Sequence, residues 1–182
     1  MEAKMYKIDL NADVGESFGE FKVGEDDRLI PIITSANIAC GLHAGDYRIM
    51  EQTVALCKKH DVKVGAHIGF SDIFGFGRRQ LPIGVLELKQ LVSYQLGALY
   101  GVCKLHEVKI NHVKLHGALY NIVANDLELS STLIRTIKQF NDAIKLYGLS
   151  GSENEKASKL LGHPFYAEVF SDRAYQSNGQ LV

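Results

Sequence analysis

Five short apolar runs in this chain each end in a histidine or carboxylate, four of them with a glycine close by. They are LNADVGES at Asp13, IACGLHAGD at His43, VGAHIGFSD at His67, VKLHGALYN at His116, and YAEVFSDRAY at Glu168 and Asp172. A buried parallel strand reads as such a run, and its carboxyl end is where polar groups can appear without being buried unpaired. Polar residues gathered at several strand ends point to one shared site.

The chemistry open to them follows from residue type. Asp13 and Glu16 enter from one loop and could form a carboxylate pair with different environments, as general acid–base work needs. Asn11 shares a strand face with Asp13. Lys114 precedes His116 by two, so both point to one face of a strand. A cation beside an imidazole favours its neutral, basic form. His112 shares that face, but on a strand it lies too far from His116 for a common ion and is expected to be structural. His43 and His67 recur at equivalent positions. Imidazoles with Asp13 around one mouth would suit a divalent metal, and that keeps a metal-dependent carbohydrate deacetylase or hydrolase as the alternative. No compact ligand motif is present, however, and a ring of neutral substrate-binding histidines accounts for the same residues, so no metal is predicted. Cys40 and Asp46 read as a packed residue and a helix cap. Glu168 needs a partner if buried, and Lys114 is the candidate.

The segment Gly69–Pro82 mixes glycines, Phe70, Phe74, Phe76 and the paired Arg78 and Arg79. It is long for a βα connection and suits a lid whose guanidinium forks clamp an anionic group, with the three rings covered.

The elements that must position these groups alternate. Strand-like runs cover 6–10, 36–40, 62–66, 109–115, 143–149 and 165–170. Asp46 opens a helix ending near His60, a long helical pattern runs from about Val85 to about His106, and a further helix begins near Ala118. Asp126 and Ser152 cap two more, the last ending at Gly162. Repeated βα units with polar strand ends favour an α/β fold of the (β/α) barrel type, in one domain over residues 1–182. Six strands fall short of the eight that close such a barrel, so it is expected to be incomplete at the C-terminus.

The chain has 182 residues, 46% hydrophobic and 23% charged, with a formal charge of -1, which gives no field to attract nucleic acid or an anionic membrane. Three widely spaced cysteines fit reduced thiols, and no signal peptide or membrane span is evident. A cytoplasmic location is expected.

Taken together and in order, LNADVGESFG, NIACGLHAGD, VGAHIGFSDIFGFGRR, VKLHGALYN and AEVFSDRAY resemble the LamB/YcsF family over nearly the whole chain. The resemblance implies a barrel similar to the glycoside hydrolase/deacetylase type. It implies ATP-dependent opening of the cyclic amide 5-oxoproline to glutamate, with ATP as co-substrate and in assembly with 5-oxoprolinase subunits B and C. On that basis Asp13 or Glu168 would activate water, His116 relay a proton and Lys114 stabilise negative charge. Asn11, His43 and His67 would bind substrate, and Arg78 or Arg79 would hold its carboxylate. No Walker-type phosphate loop is present, so nucleotide would use another pocket or the partners. Family members continue past SNGQLV with further strands and a Cys-Val-His-Gly-Asp run. A chain without them would lack barrel closure, leaving an open edge for another chain, a second copy included, or an inactive scaffold.

Overall fold

The computed structural model describes residues 8–176. Six strands form one parallel sheet in sequential order: β1 Asn11–Val14, β2 Ser35–Ala39, β3 Lys63–Ile68, β4 Ile110–Leu115, β5 Lys145–Leu149 and β6 Phe165–Glu168. Sequential parallel pairing needs a crossover after each strand. A short helix α1 Asp26–Leu29 and a 3-10 turn, Ile30–Ile32, precede β2. The other crossovers hold α2 Tyr47–Lys59, α3 Val85–Leu105, the pair α4 Gly117–Ala124 and α5 Leu127–Phe140, and α6 Glu153–Leu161. Among the described residues, no helix is long and apolar enough to cross a membrane.

Alternation along the strands divides the two faces. Ile38, Val64, Ala66, Ile68, Val113, Leu115 and Leu146 are buried in the core with Leu88, Val92, Leu96 and Leu99 of α3 and Leu133, Ile134 and Ile137 of α5. Burying each of the valine, leucine and isoleucine side chains is worth roughly 1.5–3 kcal/mol. The other face carries Asn11, Asp13, Asn37, His67, His112, Lys114, Tyr147 and Glu168. Register aligns Asp13 with Asn37, Asn37 with Gly65 and Gly65 with His112, and a second row runs from His67 through Lys114 and Tyr147 to Tyr166.

This polar face is concave. The Tyr147 hydroxyl donates to Asp9 Oδ2 at 2.9 Å and Asn11 Nδ2 to Glu168 Oε2 at 3.4 Å, so side chains from the two ends of the sheet meet. The architecture is a parallel half-barrel with its helices outside.

The expected caps hold at two helices. Asp46 Oδ1 accepts from the Ile49 amide at 2.9 Å, and Asp126 Oδ1 accepts from the Glu128 and Leu129 amides. Ser152 instead donates its hydroxyl to the Leu149 carbonyl and caps no amide with its side chain. Gly162 ends α6 in the left-handed region, as a C-terminal glycine can. The first strand begins later than the apolar run predicts: Ile8 and Leu10 are exposed and pairing starts at Asn11, while positions 6 and 7 lie outside the described residues.

Candidate active site at the strand ends

Lys114, near the end of β4, is almost fully buried. Its Nζ lies 3.1 Å from Glu168 Oε2, 3.4 Å from Asp13 Oδ1 and 3.2 Å from Asn11 Oδ1, and faces the Phe170 ring at 5.0 Å. Three strands, β1, β4 and β6, thus converge on one ammonium. Asn37 ties the row together: its amide donates to Asn11 Oδ1 at 2.7 Å and Asp13 Oδ1 at 2.8 Å, while its Oδ1 faces His112 Nε2 at 2.7 Å. Burial opposes charge on Asp13, but His67, Lys114 and Asn37 outweigh it and hold the carboxyl far below the usual range. Glu16 is driven the other way by burial and by Asp13, so the two carboxylates of this loop do have opposed environments.

Beside them three imidazoles cluster. His43 stacks on His116 at 3.9 Å between centroids, and His67 stands edge-on to both. Burial, reinforced by neighbouring imidazoles, lowers the pKa of His43 and of His116 to about 3. His116 Nε2 meets the Phe76 carbonyl at 2.8 Å and Nδ1 meets His67 Nε2 at 2.9 Å. Both nitrogens are engaged, so a proton relay through His116 would have to break one of these bonds.

Glycines make the crowding sterically feasible. Gly77, with φ +63, has no Cβ to strike His43 and His116, which would lie 2.9 Å away. Glu16, His43, His67 and His116 each offer a ligand atom, all within 4.8 Å of one another, a grouping that could hold a metal ion.

Predicted site residues divide accordingly. Asn11, Asp13, His43, His67, Lys114, His116 and Glu168 come together. Arg78 reaches the mouth: with Asp13, His67, Lys114, His116 and Tyr120 it lines a cavity of about 310 Å3. Arg79 does not; it forks onto the buried Asp72 within its own loop. Phe70 is buried and Phe76 half-buried against His43 and His116, but Phe74 is fully exposed, against the expectation that all three rings are covered. His112 is locked between Asn37 and the Tyr147 ring, which is stacked on it at 4.1 Å. Asn37 lies outside the predicted set, and its signal was a lone asparagine within the apolar run SANIA. Glu16, which the sequence pairs with Asp13, stands with the histidines instead.

The profile of the LamB/YcsF family matches residues 8–182. The chain belongs to the LamB/YcsF family. It is 51% identical over 178 residues to the A subunit of the 5-oxoprolinase of Limosilactobacillus fermentum, covering 98% of this chain and 71% of that protein. The corresponding 5-oxoprolinase A subunit of Staphylococcus aureus strain bovine RF122 is 49% identical over 176 residues, covering 97% of this chain and 70% of that one. The crystal structure of a lactam utilization protein from Thermus thermophilus superposes with a TM-score of 0.93 at 41% identity, covering 97% of this chain and 72% of that one. The LamB/YcsF relatives and the half-barrel therefore agree along the same span.

Proposed function

We propose that this chain acts as the A subunit of a 5-oxoprolinase, opening the cyclic amide of 5-oxoproline to glutamate with ATP and together with subunits B and C. The observation that carries the reading is the buried Lys114 ammonium between Asp13 and Glu168, at a cavity of about 310 Å3. That volume suits a small ring. The names of the relatives support the same activity.

A lactam is a poor electrophile. Transfer of the ATP γ-phosphoryl group to its oxygen releases ADP and makes the ring carbon attackable; one water adds, the C–N bond breaks and the amine takes a proton, leaving an acyl phosphate that a second water hydrolyses to the carboxylate and phosphate. Negative charge that gathers at the lactam oxygen is met by Lys114, an already positioned cation in a water-poor site. Glu168 Oε2 holds Lys114, while Glu168 Oε1 is buried with no hydrogen-bond partner among the described residues. That free oxygen is the acceptor for the attacking water. Asp13 keeps Lys114 and His67 in place, Asn11, His43 and His67 wall the ring, and Arg78 meets the substrate carboxylate. The curled sheet is in keeping with a barrel of the glycoside hydrolase/deacetylase type. Three free, buried cysteines, each with its thiol pKa pushed up to about 12 by burial, accord with a cytoplasmic setting.

Mixing the chain with subunits B and C, ATP and 5-oxoproline tests the proposal. Glutamate should form only in the complete mixture; equal turnover by B and C alone would refute it.

A further inference from the structure

The inner nitrogens of two histidines face each other. His67 Nε2 and His116 Nδ1 are 2.9 Å apart, while the outer nitrogens, His67 Nδ1 and His116 Nε2, face the carbonyl oxygens of Lys114 and Phe76 at 3.3 and 2.8 Å. A carbonyl only accepts, so each outer nitrogen carries its hydrogen. Both inner nitrogens are then left with lone pairs pointed at one another. Something positive has to lie there: either an extra proton on His67 Nε2, which Asp13 Oδ2 at 3.3 Å would also accept, or a cation.

The surroundings favour the cation. A histidine ligand regularly donates its other ring N–H to a backbone carbonyl, which fixes its orientation, and here two histidines do so. Glu16 Oε1 and both ring nitrogens of His43 are buried without a hydrogen-bond partner among the described residues. An extra proton between His67 and His116 would leave all three of those atoms unsatisfied, which is expensive in a buried site. Glu16 Oε1 lies 3.8 Å from His43 Nε2 and 4.0 Å from His116 Nδ1. Tetrahedral ligands ~2.1 Å from a zinc ion are ~3.4 Å apart, and the three separations of 2.9, 3.8 and 4.0 Å straddle that value. His43 lies flat on His116 and has to turn its lone pair toward the ion. Turning breaks no hydrogen bond, because its nitrogens make none among the described residues.

We infer that Glu16, His43, His67 and His116 form a site for one divalent cation, with zinc the best match to three imidazoles and a carboxylate. Asp13 Oδ2, 3.3 Å from His67 Nε2, stands beside it as a further anionic group. The site adjoins the Lys114 cavity, since His67 and His116 line both. Metal binding is a property of this chain by itself and does not depend on the oxoprolinase reading.

The test is metal analysis of the purified full chain, followed by chelator treatment and titration with zinc and with cobalt, without ATP or partner subunits. The expected result is one ion per chain, visible cobalt ligand-field bands, and affinity weakened at least tenfold in both Glu16→Gln and His43→Gln, whose far-ultraviolet circular dichroism matches the parent. A chain that takes up no ion would overturn the site and identify the group beside the histidines as a proton, and an affinity unchanged from the parent in both variants would overturn it by placing the ion elsewhere. Neither result bears on whether the complete mixture turns over 5-oxoproline, so the two readings fail separately.

Discussion

Lys114 on β4 and Glu168 at the end of β6 form an ion pair of 3.1 Å with both side chains 7% exposed. The pair spans the concave face of the half-barrel and, with Asp13, links three strands that are not neighbours. Breaking a buried pair from one side strands the other charge, typically at about 3–5 kcal/mol. Lys114→Met should therefore lower the unfolding free energy by about that much in urea titrations. Pairing it with Glu168→Gln should recover part of the loss. Additive losses would mean the two charges do not interact.

Gly65 lies under His112. A Cβ at this position would clash with His112 Nε2, so Gly65→Ala has to displace a ring held by Asn37 and Tyr147. Overpacking of this kind costs about 1–3 kcal/mol. Gly97 in α3 is the control: a Cβ there meets nothing within 4 Å, and Gly97→Ala should stabilise by about 0.5–1 kcal/mol through helix propensity. Thermal melts of the two variants should shift in opposite directions.

Acid should weaken the fold through His112. Burial lowers its pKa to about 3 in the folded chain, so the native state keeps it neutral while the unfolded chain takes up a proton below its ordinary value of ~6.5. A depressed folded pKa means the unfolded state binds more protons between these two values, and stability falls as pH drops through that window. The slope for one such group approaches ~1.4 kcal/mol per pH unit. Urea midpoints measured from pH 7 to 4 should decline less steeply in His112→Gln than in the parent; identical slopes would remove His112 from the account.

Arg78 and Arg79 are adjacent but should separate kinetically. Arg78 lines the mouth cavity, whereas Arg79 is held by Asp72. A charge-assisted contact to a substrate carboxylate is worth roughly 1.5–3 kcal/mol, so Arg78→Ala should raise KM for 5-oxoproline by about tenfold or more. Arg79→Ala should leave KM unchanged.

The order of the six strands, the Asp46 and Asp126 caps and the Lys114–Glu168 pairing were legible in the sequence, because each follows from period, local hydrogen bonding or the need to pair a buried charge. The first strand was read too early: Ile8 and Leu10 alternate like strand residues, yet pairing starts at the polar stretch Asn11–Val14, whose inward side chains belong to the site. The helix and 3-10 turn at 26–32 were missed, being too short to show a period. The sequence left Arg78 and Arg79 as alternatives, because it does not reveal that the Arg79 fork is satisfied by Asp72, seven residues earlier in the loop. The gathering of His43, His67 and His116 at one mouth was legible from their strand-end positions, but not that Glu16 joins them, since the four have no compact spacing and come from four separate strand ends. Only the curl of the sheet brings them together.

The most direct test of the central claim is the rate of glutamate formation from 5-oxoproline in the complete mixture with ATP and subunits B and C, compared between the parent chain and Lys114→Met. The account predicts turnover with the parent and a fall of at least about a hundredfold with the folded variant, as expected when an electrostatic stabiliser of developing charge is removed. Undiminished turnover with Lys114→Met would contradict it.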